Sequence, residues 1–234
     1  MSKYIYAGAS WAARSYDTPA GLEDNYTNLA MEWDIPCYNI SKRAQSNLMS
    51  LQRIVALNVT LPVIFILTDT VVDIWANKDW QGVGKNFLET NDVHKIRQEM
   101  LTTFLIKLNA IGLPIGLIGS HVTITHADVA PYNNLSVIDQ SWISFLSQET
   151  LGRRMNGWGS DLAYTVMTDT TWGHITPSKH IITEIYAQRD LVAEISMHKA
   201  GLMCGSHATA KGNKLYAKYL KERVTNFINA NTKE

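Results

Sequence analysis

Pro62-Val63-Ile64-Phe65-Ile66-Leu67-Thr68 is the stretch on which the fold turns. It is apolar from Pro62 to Leu67 and rich in β-branched side chains, without the polar alternation of a half-exposed strand. A strand of that kind is buried on both faces, as central strands of parallel sheets are. Working outward, short apolar runs recur at 3–8 (KYIYAG), at Cys37–Ile40 after Pro36, and at 114–119 (PIGLIG). Helical spacing fills the gaps between them. Leu22, Tyr26, Leu29, Ala30 and Trp33 recur at helix period within an acidic segment, 15–34, that holds five acids and no base. A helix is expected from Ser46-Asn47, with Leu48, Leu51, Ile54, Val55 and Asn58 facing inward. Val93, Ile96, Met100, Leu101, Phe104 and Leu108 mark a long helix that stops near Gly112. Further helices are expected near 137–151, 181–199 and 210–230, with a Gly-, Thr- and Trp-rich loop over 152–180. The last helix should bury Leu215, Tyr219, Leu220, Val224, Phe227 and Ile228, and expose Lys211, Lys214, Lys218 and Lys221. Strands alternating with helices predict an α/β domain with a parallel sheet and ligands at the carboxyl ends of its strands. No repeat or linker divides the chain, so residues 1–234 are read as one domain.

Composition narrows the function. The 234 residues carry 21 basic and 21 acidic side chains, net charge zero, with 46% hydrophobic and only 18% charged residues. Disorder requires low hydrophobicity and high net charge. Nucleic-acid binding requires a basic footprint. Neither condition is met, whereas low colloidal repulsion is compatible with a homo-oligomer or structural assembly. Two cysteines, Cys37 and Cys204, make neither a disulfide framework nor a Cys-rich zinc site. His94, His126, His174, His180 and His198 show no ligand spacing with carboxylates, so neither metal nor cofactor is expected. The longest apolar run is far below the ~20 residues of a membrane span. The first residues lack a signal-peptide core, which predicts cytoplasmic synthesis and leaves the final location open.

Two short segments carry the chemistry. Gly8-Ala9-Ser10-Trp11 follows the first strand, where small residues let a substrate approach the backbone. Cys204-Gly205-Ser206-His207-Ala208-Thr209 precedes the last helix. Taken singly, each has an ordinary reading: Ser10 as a helix N-cap, His207 as a loop or cap histidine. Taken together they resemble the first and last blocks of the SGNH (GDSL-type) hydrolases. Gly8-Ala9-Ser10 stands where that family has Gly-Asp-Ser, and Cys204-Gly205-Ser206-His207 where it has Asp-x-x-His. Asn39-Ile40-Ser41-Lys42-Arg43-Ala44-Gln45-Ser46-Asn47 resembles the second block, with Ala44 at the glycine position. Leu67-Thr68-Asp69-Thr70 stands at the third block without its asparagine.

The resemblance implies a flavodoxin-like three-layer α/β/α fold with a central parallel sheet, no cofactor, and an ester substrate such as an acetylated carbohydrate. It implies Ser10 as nucleophile and His207 as base. The amides of Ser10 and Ala44 would hold the oxyanion, with Asn47 as a substitute for the missing asparagine. That missing side-chain donor is worth roughly 10²–10³ in rate. Cys204 occupies the place of the orienting acid, and a neutral thiol does not stabilise imidazolium as a carboxylate does. Asp69, Asp73 and Asp128 are candidates to supply that acid. These departures favour, as the alternative, a catalytically degenerate member kept as a binding or structural subunit. A rival pattern lies in His121-Val122-Thr123 and His207-Ala208-Thr209, which are similar to the paired motifs of two-histidine phosphoesterases. His121 is expected at the carboxyl end of strand four. Gly82-x-Gly84-Lys85 is too short for a phosphate loop. Trp75, Trp80, Trp158 and Trp172 read as packed loop anchors before they read as a carbohydrate surface.

Overall fold

The computed structural model describes residues 2–15, 27–43, 45–68, 93–155, 190–204 and 207–232. Five strands, β1 (Tyr4–Gly8), β2 (Cys37–Asn39), β3 (Val63–Leu67), β4 (Ile115–Gly119) and β5 (Leu135–Asp139), form one all-parallel sheet in the order β2-β1-β3-β4-β5. This is one of the common doubly wound orders. Ile5 pairs with Val63, Val63 with Ile115, and Ile115 with Leu135, so one apolar row crosses four strands. In chain order the described helices are α1 (Ser10–Ala13), α2 (Leu29–Trp33), α3 (Asn47–Leu57), α4 (Val93–Asn109), α5 (His126–Val129), α6 (Trp142–Leu151), α7 (Leu191–Lys199) and α8 (Ala210–Asn231).

Alternate residues of each strand feed two cores, because successive side chains leave a strand on opposite faces. Tyr4, Tyr6, Ile64, Ile66, Ile118 and Ile138 pack beneath α1, α2, α6, α7 and α8. Ile5, Ala7, Val63, Phe65, Leu67, Ile115, Leu117 and Leu135 pack beneath α3, α4 and α5. The result is three layers, helices on each side of a parallel sheet. Among the described residues no helix is long and apolar enough to cross a membrane.

Three local readings of the sequence are corrected. Residues 135–139 are strand β5, and the helix expected near 137–151 begins only at Trp142, where Ser141 accepts from the Ser144 amide and caps it. Pairing with β4 satisfies the backbone of 135–139, and the Ser141 cap marks the boundary. Helix α3 is rotated from its expected face. Asn47, Ser50 and Ile54 are buried, Leu48 and Leu51 are half-buried, and Val55 is 60% exposed. Asn58 is its left-handed C-cap at φ 49°. The rotation follows from the Asn47 carboxamide, which both donates to and accepts from the Thr68 backbone (2.9 and 3.0 Å) and so draws a polar face to the end of β3. The segment before the last helix is a small antiparallel hairpin of β6 (Met203–Cys204) and β7 (His207–Ala208) rather than a loop.

Elsewhere the expected pattern matches. In α8, Leu220, Val224 and Ile228 are buried together with Tyr216 and Ala217, Leu215, Tyr219 and Phe227 are half-buried against the same core, and Lys211, Lys214, Lys218 and Lys221 face outward. In α4, Met100, Leu101, Phe104 and Leu108 are buried. Leu22, Tyr26, residues 181–189, and Trp75, Trp80, Trp158 and Trp172 lie outside the described residues. Helix α8 is pinned to the sheet by the buried Asp139 at the end of β5, which accepts from the Tyr216 hydroxyl (2.7 Å) and pairs with Arg223 (3.2 Å).

Helix α7 is held at its start by a charge. Asp190 caps it, accepting from the Ala193 amide (3.0 Å), and pairs with Arg153 at 2.5 Å. The Arg153 hydrogen bond holds the Asp190 carboxyl below its ordinary range. A lowered native acid contributes stability above its unfolded value near 4 and loses it as pH falls through the lowered native value. Asp190→Asn keeps a capping oxygen and removes the pair. Thermal unfolding should therefore show the wild type slightly more stable than Asp190→Asn at pH 7, the margin being small because Arg153 is half exposed. The two curves should converge as pH drops below about 4.

Candidate active site

The site begins with the backbone at the end of β1. Gly8 has φ +144°, a conformation that L side chains rarely adopt. A Cβ placed there would lie 2.7 Å from both the Ile66 carbonyl oxygen and the Ala12 Cβ. This turn starts α1 directly above the sheet edge. The N-cap position is Ala9, and no side chain caps the helix. Ser10 is thus the first helical residue and not a cap. Its position is the topological switch point: β1 lies between β2 and β3, and the chain returns to those two neighbours across opposite faces of the sheet. Ligands of doubly wound proteins bind in that crevice.

His207 arrives from the other end of the chain. It is the first residue of β7 and pairs with Cys204 across the hairpin. Two residues later Thr209 caps α8, accepting from the Gly212 amide (3.1 Å) and donating to the Gly201 carbonyl (2.7 Å). Hairpin and cap fix the register in which His207 leaves the strand. Its Nε2 lies 2.7 Å from the Ser10 Oγ, a contact between residues 197 positions apart. With the ring proton on Nδ1, Nε2 is the acceptor for the Ser10 hydroxyl. That is the arrangement in which a histidine activates a serine as nucleophile.

Aromatic rings frame this pair. The Trp11 ring centroid is 5.8 Å from that of His207 with planes inclined at 32°, and 5.9 Å from that of His121. Trp142 meets Trp11 edge-on at 5.1 Å and stacks on Tyr216 at 4.8 Å. His121 directly follows Ser120 at the end of β4, as expected of the carboxyl edge, and is buried. Its Nδ1 lies 3.1 Å from the Ser120 Oγ, which donates to the Leu67 carbonyl. The ends of β3 and β4 are thereby tied together.

The remaining site candidates fall as follows. Cys204 sits beside His207 in the hairpin, half-buried and without a disulfide. Asn47 is buried with its carboxamide on Thr68, at the end of the strand next to β1. Asp128 is engaged elsewhere: its carboxylate accepts from the Thr125 amide and hydroxyl (2.8 and 2.7 Å) and from Gln98 (3.1 Å), capping α5. Ala44, Asp69 and Asp73 lie outside the described residues. In the paired His-x-Thr segments Thr209 is a helix cap, and His121 and His207 have the Trp11 ring as common neighbour. Among the described residues no three His, Cys, Asp or Glu side chains are grouped to hold a metal ion. Sequence reasoning passed over Trp11 and Trp142. The only signal for Trp11 was its place next to Ser10, and for Trp142 there was none. No family model, curated protein or solved structure matches the chain.

Proposed function

We propose that the chain is an SGNH-like serine hydrolase acting on an ester, with Ser10 as nucleophile and His207 as general base. The observation that carries this reading is the 2.7 Å contact between Ser10 Oγ and His207 Nε2, at the switch point of a doubly wound sheet. In the reaction, His207 takes the hydroxyl proton as Ser10 Oγ bonds to the acyl carbon. The carbonyl π electrons move to the oxygen, which the Ser10 amide and, on the family pattern, the Ala44 amide and Asn47 would stabilise. As the tetrahedral species collapses, His207 returns the proton to the departing alcohol. Water, activated by the same imidazole, then releases the acid and restores Ser10. An O-acetylated carbohydrate is the substrate class we favour, as an uncharged ester suits a chain of zero net charge.

Cys204 at the place of the orienting acid favours a second reading, a degenerate member serving as a binding or structural subunit. A fluorophosphonate probe separates the two, because it phosphonylates only an activated serine. Labelling mapped by mass spectrometry to the peptide carrying Ser10 is the expected result. Folded protein that stays unlabelled there would leave the non-catalytic subunit as the surviving reading.

A further inference from the structure

A general base works only when its ring is held in place, and the His207 ring lies against an aromatic one. Trp11 is buried, immediately follows the nucleophile on α1, and is itself braced by Trp142, which in turn stacks on Tyr216. Its ring centroid is 5.8 Å from the His207 ring, with planes inclined at 32°. That separation lies within the ~6 Å over which a cation is attracted to an aromatic face, and tryptophan is the strongest such face. Resting on the dyad reading above, we propose that Trp11 is a positioning residue. Its indole holds the imidazole against Ser10 and stabilises the imidazolium formed when the Ser10 proton passes to Nε2. Successive residues of one short helix then supply the nucleophile and the platform for its base, which couples their geometry.

Other described groups also face His207 or its platform. Ser10 faces it from α1 and Cys204 from β6. His121 lies against the same indole from the end of β4. On α8 the nearest cation in sequence, Lys211, donates to the Ala200 carbonyl (2.8 Å). A second charge on His121 would compete for the indole, so the test removes it.

The experiment is an NMR titration of the histidine rings in Trp11→Phe and Trp11→Leu, made in a His121→Gln background, with His207 assigned by the signal lost in His207→Gln. The platform predicts that the His207 midpoint falls by ~0.5–1 pH unit in Trp11→Leu. A smaller fall is expected in Trp11→Phe, which keeps a weaker face and carries the test if the leucine variant does not fold. A merely structural tryptophan predicts the opposite sign, since opening the site to water favours the charged ring. An unmoved or raised midpoint overturns the proposal. Because the titration reads the imidazole directly, its failure is distinct from a failure of Ser10 to label, which strikes the hydrolase reading instead.

Discussion

Ser10→Ala, His207→Ala and the double variant should all fall to the same low rate of ester hydrolysis. Each single change is expected to reduce kcat by roughly 10³-fold or more, toward the ~10⁶-fold losses seen when a serine hydrolase loses either member. The reason is that in the proposed dyad neither residue acts alone. Without His207, the Ser10 hydroxyl has no acceptor 2.7 Å away for its proton. Without Ser10, the base has nothing to activate except water. Groups that work as a unit are non-additive, so the double variant should be within a few-fold of either single one. Both are half-buried and neither belongs to the core clusters, so unfolding midpoints should change little. Initial rates on an acetyl ester, compared across the three variants, check this. If Ser10→Ala hydrolyses the ester as the wild type does, or if the two losses multiply, the dyad is not the catalytic unit.

Gly8→Ala should be strongly damaging for a change of one methyl group. The added Cβ would meet the Ile66 carbonyl and the Ala12 Cβ at 2.7 Å and the Ile66 Cβ at 3.0 Å. None of these is the far end of a flexible side chain. The backbone at φ +144° adds conformational strain. Such strain costs about 1–3 kcal/mol, and overpacking costs typically ~1–3 kcal/mol more. A loss of about 3 kcal/mol or more in urea unfolding, with an unchanged m-value, is the expected outcome. Activity should fall as well, because relief of the clash requires β1 to separate from β3 or α1 to rise, and either motion carries Ser10 from His207. Wild-type stability in Gly8→Ala would show that the edge yields more easily than its contacts imply.

The sheet was legible because its strands are short, apolar and bounded by turn residues. Val63–Leu67 needs no neighbour to be read as a doubly buried strand, and KYIYAG and PIGLIG repeat the pattern. Leu135–Asp139 was missed because it mixes exposed Ser136 with buried Leu135, Ile138 and Asp139, a weak signal beside the apolar helix that follows. The α3 face was misjudged because periodicity counts apolar residues, whereas the buried face is built around Asn47 and Ser50 and satisfied by hydrogen bonds. At the site, Ser10 and His207 were visible as ends of a spaced pattern, and their approach is geometric news. The aromatic surround was not visible. Trp11, Trp142 and Tyr216 meet only in space, since ring contacts between α1, α6 and α8 leave no spacing in the sequence.

The 197 positions that separate Ser10 from His207 also have a meaning in time. A ribosome releasing about 5–20 residues each second needs roughly 10–40 s to cover that distance. The first strand, internal in the final sheet, must wait for β3 to be made before it has partners on both sides. If the dyad acts as proposed, the serine meanwhile remains an ordinary alcohol, since the imidazole that would activate it has yet to be synthesised. On the proposed dyad, a nascent chain would therefore carry Ser10 without its base, and competence would arrive only once β7 brings His207 to it.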